Sequence, residues 1–144
     1  FDLVAAKAMK LNRMDDVSYG EVAEGITIKI STENYHKVID ELVDNALRFS
    51  QEGKKVYISS RIHNNLYEVR IADEGRGMSA EQISNIGAYQ QFDRLLHEQQ
   101  GVGLGLAIAK RIVELHEGDF HVESEEGKGT IITVGLPIEH VEGL

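Results

Sequence analysis

The chain has 144 residues and a mass of 16.0 kDa, which fits a single domain. It carries 15 basic and 24 acidic residues, for a formal net charge of −9, and contains no cysteine. Binding to nucleic acid phosphates needs the opposite charge, and without cysteine neither disulfides nor thiolate metal sites can form. The composition therefore predicts an acidic, soluble, cytoplasmic domain that contacts neither nucleic acid nor membrane.

No stretch of the sequence is long and apolar enough to cross a bilayer. The longest apolar run, Val102 to Ala109, contains two glycines and ends at Lys110. The chain begins at Phe1, without a methionine or a basic leader, so we expect it to be part of a longer protein. Whether that parent protein is anchored in a membrane is left open.

The first third of the chain predicts a strand followed by a long helix. Residues 26–30 alternate apolar and polar side chains, as in a half-buried strand. Apolar residues at helical spacing then predict a helix from Glu33 to Phe49. Its expected core positions are Val38, Ile39, Leu42, Val43, Ala46 and Leu47. Residues 1–22 are expected to hold the end of a connection and a first strand near Phe1 to Val4.

A hairpin and a short helix are predicted next. Two alternating runs, Val56 to Ile62 and Leu66 to Ile71, are joined through Asn64-Asn65, residues typical of tight turns. Residues 80–86 predict a short helix. The polar, glutamine-rich tract from Gln90 to Gln100 is typical of a loop.

The last third of the chain predicts a second long helix and a closing hairpin. The helix is expected from Leu104 to His116, with Gly118 as its C-cap. Residues 119–124 and 130–136 predict the two strands of the hairpin, and residues 139–144 are expected to form a frayed tail.

This order of elements predicts an α+β fold, in which the helices pack on one face of a mixed sheet. We expect a functional domain at residues 23–138, preceded by the connecting segment 1–22 and followed by the tail 139–144.

The first long helix carries a cluster of polar residues on the side away from its apolar stripe. Glu41, Asp44, Asn45 and Arg48 lie at spacings that place them on one face. Carboxylate and carboxamide oxygens suit Mg²⁺, and a guanidinium suits phosphate. An ordinary solvated helix face is the alternative interpretation of this cluster alone.

A second cluster, Asp73-Glu-Gly-Arg-Gly77, follows directly on a predicted strand. The glycines permit positive φ and allow a ligand to approach the backbone closely. An aspartate at the end of a strand can accept a hydrogen bond from an exocyclic amine such as that of adenine. A surface turn is the alternative.

A third cluster, Gly101-Val-Gly-Leu-Gly105, leads into the second long helix. Free backbone amides and the positive end of the helix dipole favour an anion there. The spacing is neither that of a dinucleotide-binding Rossmann turn nor that of a P-loop. A phosphate cradle and the hinge of a lid both remain open for this run alone.

Four segments resemble, in order, the N, G1, F and G2 boxes of the catalytic domain of two-component sensor histidine kinases, relatives of gyrase and the Hsp90 chaperone. They are Glu41-Leu-Val-Asp-Asn-Ala-Leu-Arg-Phe-Ser50, Asp73-Glu-Gly-Arg-Gly-Met78, Gln91-Phe-Asp-Arg94 and Gly101-Val-Gly-Leu-Gly-Leu-Ala-Ile108. The C-terminal pattern is similar at His116-Glu-Gly118, Gly127-Lys-Gly-Thr130 and Leu136-Pro137. The resemblance covers Ile26 to Pro137 and implies a two-layer α/β sandwich of the Bergerat type.

The resemblance implies roles for the matched residues. Asn45 would bind Mg²⁺, Arg48 would lie near the phosphates, Arg94 would reach the γ-phosphate, and Asp73 would accept the adenine amino group. Glu41 stands where many histidine kinases have asparagine, and related ATPases use a glutamate there as a general base. The other nucleotide contacts implied are Gly75, Gly77 and Met78 around the base, Phe92 in a lid, and Gly101, Val102, Gly103, Leu104, Gly105 and Leu106 at the phosphates.

The implied function is binding of Mg·ATP and transfer of the γ-phosphoryl group to a histidine in two-component signalling. His97 and His116 are each followed by glutamate, but neither continues as the acceptor motif of this family, so we expect the acceptor on a separate dimerisation domain. A response regulator would act downstream, ADP would be the product, and the isolated chain would be monomeric.

Two alternatives remain open at this point. An ATPase or a serine/threonine-directed protein kinase of the same fold is favoured by Glu41. A nucleotide-sensing docking module would bind ATP and ADP without transferring phosphate.

Overall fold

The structure is a computed structural model that describes residues 2–86 and 104–143. The helices are α1 (Asp2–Lys10), α2 (Thr32–Arg48), α3 (Ala80–Asn85) and α4 (Leu104–Leu115), with a 3₁₀ turn at Met14–Asp16. The strands are β1 (Val17–Tyr19), β2 (Ile26–Ile28), β3 (Val56–His63), β4 (Leu66–Asp73), β5 (Asp119–Glu125) and β6 (Gly129–Val141). Within these described parts of the chain, no helix combines the length and the apolar character that a membrane span requires.

The six strands form one mixed sheet in the order β1-β3-β4-β6-β2, with β5 also paired to β6. β1 runs parallel to β3, and the other pairings are antiparallel. The long strand β6 pairs with β4 and β5 through residues 129–137 and with β2 through residues 138–141. β6 therefore joins β2, β4 and β5 into one sheet.

The helices cover one face of this sheet, as the fold prediction requires. Alternate residues of the central strands are buried against α2 and α4, whereas Tyr57, on the other face of β3, is 49% exposed. All six apolar positions predicted for α2 are in the core, and they are Val38, Ile39, Leu42, Val43, Ala46 and Leu47. The two-layer α/β sandwich is thus confirmed.

The hairpin β3–β4 turns at the predicted asparagines. Asn64 and Asn65 both have positive φ, at 51° and 61°, which matches the tight turns that twist with the strands. This hairpin places Asp73 opposite Val56.

The prediction of a strand near Phe1 to Val4 is wrong, because Asp2–Lys10 form helix α1. Val4 and Ala8, one helical turn apart, are buried in the core, and α1 packs against α2. Only three of residues 1–4 are apolar, because Asp2 interrupts them, and the alanines that follow together with the burial of one face favour a helix. The first strand is β1, which still falls within residues 1–22.

Two predicted features at the C-terminal end also differ. Residues 139–141 do not fray, since they extend β6 and pair with β2, where Val141 lies opposite Ile26. The left-handed residue after α4 is Glu117, at φ 61°, rather than Gly118. A β-carbon on Gly118 would lie 2.3 Å from the carbonyl oxygen of Gly135, so close packing against β6 requires the glycine. The domain boundaries remain predictions.

Candidate functional site

The polar face of α2 is formed as its sequence spacing predicts. Ser31 caps the helix by accepting a hydrogen bond from the amide of Asn34 at 3.1 Å. With the apolar stripe in the core, Glu41 and Asn45 lie half-buried on the opposite side, and the side chain of Arg48 is 61% exposed.

Glu41 joins α2 to the beginning of α4. Its Oε1 accepts a hydrogen bond from Nζ of Lys37 at 2.6 Å. Its Oε2 lies where a β-carbon on Gly105 would approach to 2.2 Å. An alanine at position 105 would therefore require the Glu41 carboxylate, the end of a flexible side chain, to move away from the start of α4.

Asn45 lies one helical turn beyond Glu41, and its side chain makes no hydrogen bond to any residue in the described ranges 2–86 and 104–143. The residue is half-buried, and its carboxamide oxygen has no partner among these residues that would compete with a ligand. Across those same ranges no group of three or more histidine and acidic side chains is arranged to hold a metal ion.

Arg48 is held by its own helix. Its Nε donates to both carboxylate oxygens of Asp44 at 2.8 Å, and this hydrogen bond raises the pKa of Arg48 above its ordinary value. Nζ of Lys7 on α1 lies 3.5 Å from the same carboxylate and 2.9 Å from Asp40. The predicted contact of Arg48 with phosphates would therefore require a different side-chain position.

Asp73 ends β4 on the side of the sheet that the helices cover. Its Oδ1 accepts a hydrogen bond from the amide of Gly75 at 2.8 Å. Burial raises the pKa of Asp73 to about 6, although hydrogen bonds from the backbone amides of Gly75 and Thr130 oppose the rise. The carboxylate is thus a strongly desolvated acceptor at the position predicted for the adenine amine.

The loop after Asp73 packs between the end of α2 and the β5–β6 turn. A β-carbon on Gly75 would lie 2.4 Å from the carbonyl oxygen of Phe49, and one on Gly77 would lie 2.0 Å from that of Glu125. Gly77 also has a φ of 70°. Both glycines are therefore required by the backbone packing of this loop.

Met78 closes the loop and belongs to the core, with an exposed fraction of 2%. Its amide donates to Oγ of Ser124 at 2.7 Å, and that hydroxyl lies 2.7 Å from Oγ1 of Thr130. Leu106 of α4 is buried as well, and Leu104 is half-buried. Ser124 and Thr130 were not predicted as site residues. The Gly127-Lys-Gly-Thr130 run was a signal for Thr130, whereas nothing in the sequence marked Ser124.

Several predicted site residues fall outside the described ranges. They are Phe92, Arg94, Gly101, Val102 and Gly103, together with the tract from Gln90 to Gln100. Their roles, like the roles assigned to the described site residues, remain predictions.

The fold is a two-layer α/β sandwich in which α2, the loop after Asp73 and the start of α4 lie side by side. Residues 30–140 match the family described as histidine kinase-, DNA gyrase B-, and HSP90-like ATPase, and the chain belongs to this family. It is an ATP-binding catalytic domain of the sensor histidine kinase type.

Curated relatives support the same assignment. The chain is 35% identical over 119 residues to the sensor histidine kinase WalK of Bacillus subtilis (strain 168), a match that covers 76% of this chain and 19% of WalK. It is 29% identical over 138 residues to the histidine protein kinase DivJ of Caulobacter vibrioides, covering 91% of this chain and 23% of DivJ. The chain therefore spans about a fifth of the length of these relatives.

Solved structures share the fold. The mycobacterial sensor histidine kinase MprB superimposes with a TM-score of 0.69 at 24% identity, covering 95% of this chain and 93% of that one. Full-length ShkA in complex with AMPPNP gives a TM-score of 0.71 at 22% identity, covering 95% of this chain and 29% of that one.

Proposed function

We propose that this domain binds Mg·ATP and transfers the γ-phosphoryl group to a histidine on a separate phospho-acceptor domain of its parent protein, in the cytoplasm. The observation that carries the proposal is the arrangement around Asn45. One turn before it, Glu41 contacts the start of α4 at Gly105, and one turn after it, Phe49 contacts the loop that follows Asp73. These two contacts support a nucleotide site along α2, with Asn45 between them.

In this proposal the three clusters divide the nucleotide between them. Asp73 accepts the adenine amine, and Gly75, Gly77 and Met78 shape the wall around the base. The amides of Gly101 to Leu106 bind the phosphates, helped by the positive end of the dipole of α4, which begins at Leu104. This local positive potential matters because the whole chain carries a net charge of −9.

The donor set fits Mg²⁺. Asn45 offers a carboxamide oxygen that has no internal partner among the described residues, and the ion commonly completes its octahedron with phosphate oxygens and water. When bound, Mg²⁺ would neutralise phosphate charge, and Arg48 and Arg94 would add positive charge near the transferred group.

The transfer itself asks for positioning more than for covalent chemistry by this chain. A nitrogen of the acceptor histidine forms a bond to the γ-phosphorus as the bond to the β–γ bridging oxygen breaks, and ADP leaves. The carboxylate of Glu41 lies near the start of α4 and accepts a hydrogen bond from Lys37 of α2. In this proposal it polarises the attacking group. Phe92 anchors the lid over the nucleotide, and a response regulator receives the phosphoryl group later.

The position of Glu41 also favours a second candidate function, an ATPase or a serine/threonine-directed kinase of the same fold. A carboxylate beside the phosphate-binding helix could equally well deprotonate water or a hydroxyl. A docking module that binds nucleotide without transfer is the remaining alternative, and the structure offers no observation that favours it.

The test is a transfer assay with γ-labelled ATP, Mg²⁺ and the acceptor domain of the parent protein. Label that appears on the acceptor and is stable to alkali but labile to acid identifies phosphohistidine and supports the proposal. Release of inorganic phosphate without an acceptor would support the ATPase, and acid-stable label on protein would support the hydroxyl-directed kinase. Binding of ATP with neither outcome would support the docking module.

A further inference from the structure

A buried arginine outside the candidate site holds the end of α2. Arg13 follows α1 and is 7% exposed. Its Nη1 donates to the carbonyl oxygens of Leu47 at 2.8 Å and Ser50 at 3.0 Å. Its Nη2 donates to the carbonyl oxygens of Gln51 at 3.0 Å and Lys54 at 3.3 Å, and to Oγ of Ser50 at 3.1 Å. One guanidinium therefore binds carbonyl oxygens in the last turn of α2 and in the segment that follows it, where the helix itself supplies few donors.

The charge of Arg13 is matched within the same segment. Its Nε donates to Oδ2 of Asp16, which is also 7% exposed. The same oxygen accepts a hydrogen bond from the amide of Gly53 at 3.0 Å. Arg13 and Asp16 thus both form hydrogen bonds to residues 47–54. The planar guanidinium can direct several N–H groups at separate carbonyl oxygens, which an ammonium cannot do.

The segment that Arg13 fixes is the segment that supports the adenine loop. Phe49 accepts a hydrogen bond from the amide of Arg76 at 3.2 Å, and its carbonyl leaves no room for a β-carbon on Gly75. The guanidinium of Arg76 lies over the ring of Phe49, 4.1 Å from its centre. A shift of Phe49 would therefore displace the loop that begins at Asp73.

We propose that Arg13 is a positioning residue for the nucleotide. By fixing residues 47–54 it holds Phe49, and through Phe49 it holds Gly75 and the carboxylate of Asp73 in the geometry that receives adenine. Nucleotide affinity then depends on the packing of the segment before β1 that contains Arg13, although this segment lies outside all four boxes of the family. The inference deepens the proposed function and rests on its nucleotide-binding part.

The experiment compares Arg13→Ala and Arg13→Lys with Val134→Ala in the full 144-residue chain. Val134 is fully buried in β6, where it pairs with β4. Its truncation should lower stability without removing a hydrogen bond to the 47–54 segment or to the loop after Asp73. The free energy of unfolding of each variant is first measured with urea, and a temperature is chosen at which every variant is more than about 99% folded. Affinity for ADP is then measured by calorimetry, and the amide resonances of Gly75 and Gly77 are recorded by NMR without ligand.

We expect Arg13→Ala to weaken ADP binding about tenfold or more and to shift the amide resonances of both glycines. Arg13→Lys should give effects between those of the wild type and Arg13→Ala. Val134→Ala should change affinity less than about twofold and leave both amides in place. Unchanged affinity in Arg13→Ala, or an equal loss in Val134→Ala, would overturn the proposal.

Two further arms keep the test decisive. Should Arg13→Ala not fold, Arg13→Lys and Asp16→Asn carry the same expectations in the same direction. Should the wild-type chain bind no ADP, the nucleotide-binding function itself would fail, and the ligand-free amide shifts of Gly75 and Gly77 would still decide whether Arg13 positions the loop.

Discussion

The carboxylate of Glu41 lies against Gly105, so closely that a β-carbon on the glycine would come within 2.2 Å of Oε2. An alanine at position 105 would therefore have to displace this carboxylate from the start of α4. Asn45 lies one turn further along the same helix, so the Glu41 carboxylate is close both to the proposed cation ligand and to the proposed phosphate-binding amides of α4.

Gly105→Ala should therefore displace the Glu41 carboxylate from the start of α4 and lower the midpoint of urea unfolding by a small amount. Removing the obstacle should restore the packing, since in Glu41→Ala the remaining β-carbon of residue 41 would lie 3.9 Å from the new methyl group, an ordinary contact. The double variant is expected to unfold at higher urea concentration than Gly105→Ala alone. A double-mutant cycle that shows simple additivity would contradict the contact.

Asn45→Ala should remove the part of ATP affinity that depends on Mg²⁺ and leave the part measured in EDTA unchanged. The reason is that the carboxamide is the proposed protein ligand and supports no internal hydrogen bond among the described residues. Calorimetric titrations with and without Mg²⁺ measure both parts. Asn34→Ala, in the first turn of the same helix, is the matched control and should behave as wild type. An unchanged Mg²⁺ effect in Asn45→Ala would rule out the cation role.

The pKa of Asp73 predicts a pH dependence of stability without ligand. This carboxyl holds its proton up to about pH 6 in the folded chain, against an ordinary value of 3.8. The folded state thus binds more protons in that interval, so the contribution of Asp73 to the free energy of unfolding falls as the pH rises from about 4 to 6 and stays low above it. Asp73→Asn should lack this slope. Urea unfolding of both proteins across pH 4–7 measures the difference, and identical slopes would contradict the assignment.

Nucleotide affinity should change in the opposite direction over the same interval. An ionised Asp73 is the better acceptor for the adenine amine, so ADP binding by the wild type should weaken as the pH falls below about 6. Asp73→Asn should bind weakly at every pH. Comparison of the two proteins cancels the titration of the ADP phosphates, which both experience equally. A parallel pH profile in the two proteins would contradict Asp73 as the adenine acceptor.

The elements with strong local signals were predictable from the sequence. The apolar spacing of α2 identified its six core positions, and Asn64-Asn65 identified the β3–β4 turn, because periodicity and turn chemistry act over a few residues. The order of these elements was sufficient to predict a mixed sheet with helices on one face.

The features that depend on distant partners were not predictable in this way. Helix α1 is stabilised by burial of Val4 and Ala8 against α2, and residues 139–141 are ordered by pairing with β2. Glu117 adopts the left-handed conformation, while Gly118 is required by its close approach to Gly135. No local pattern marks Arg13, because its carbonyl partners lie 34 or more residues away in the sequence.

Ser124 gives the last prediction, because its hydroxyl links the loop after Asp73 to the β5–β6 hairpin. The hydroxyl accepts from the amide of Met78 at 2.7 Å and donates to the carbonyl of Gly129 at 2.9 Å. Ser124→Ala leaves these groups without their partner, so the free energy of unfolding should fall by about 1–3 kcal/mol. Ser59→Ala, the same substitution in β3, is the matched control, since the Ser59 hydroxyl makes no hydrogen bond within residues 2–86 and 104–143, and it should cost less than about 0.5 kcal/mol. Urea unfolding at neutral pH compares the two variants. Equal losses in both would mean that the hydroxyl of Ser124 does not secure the loop.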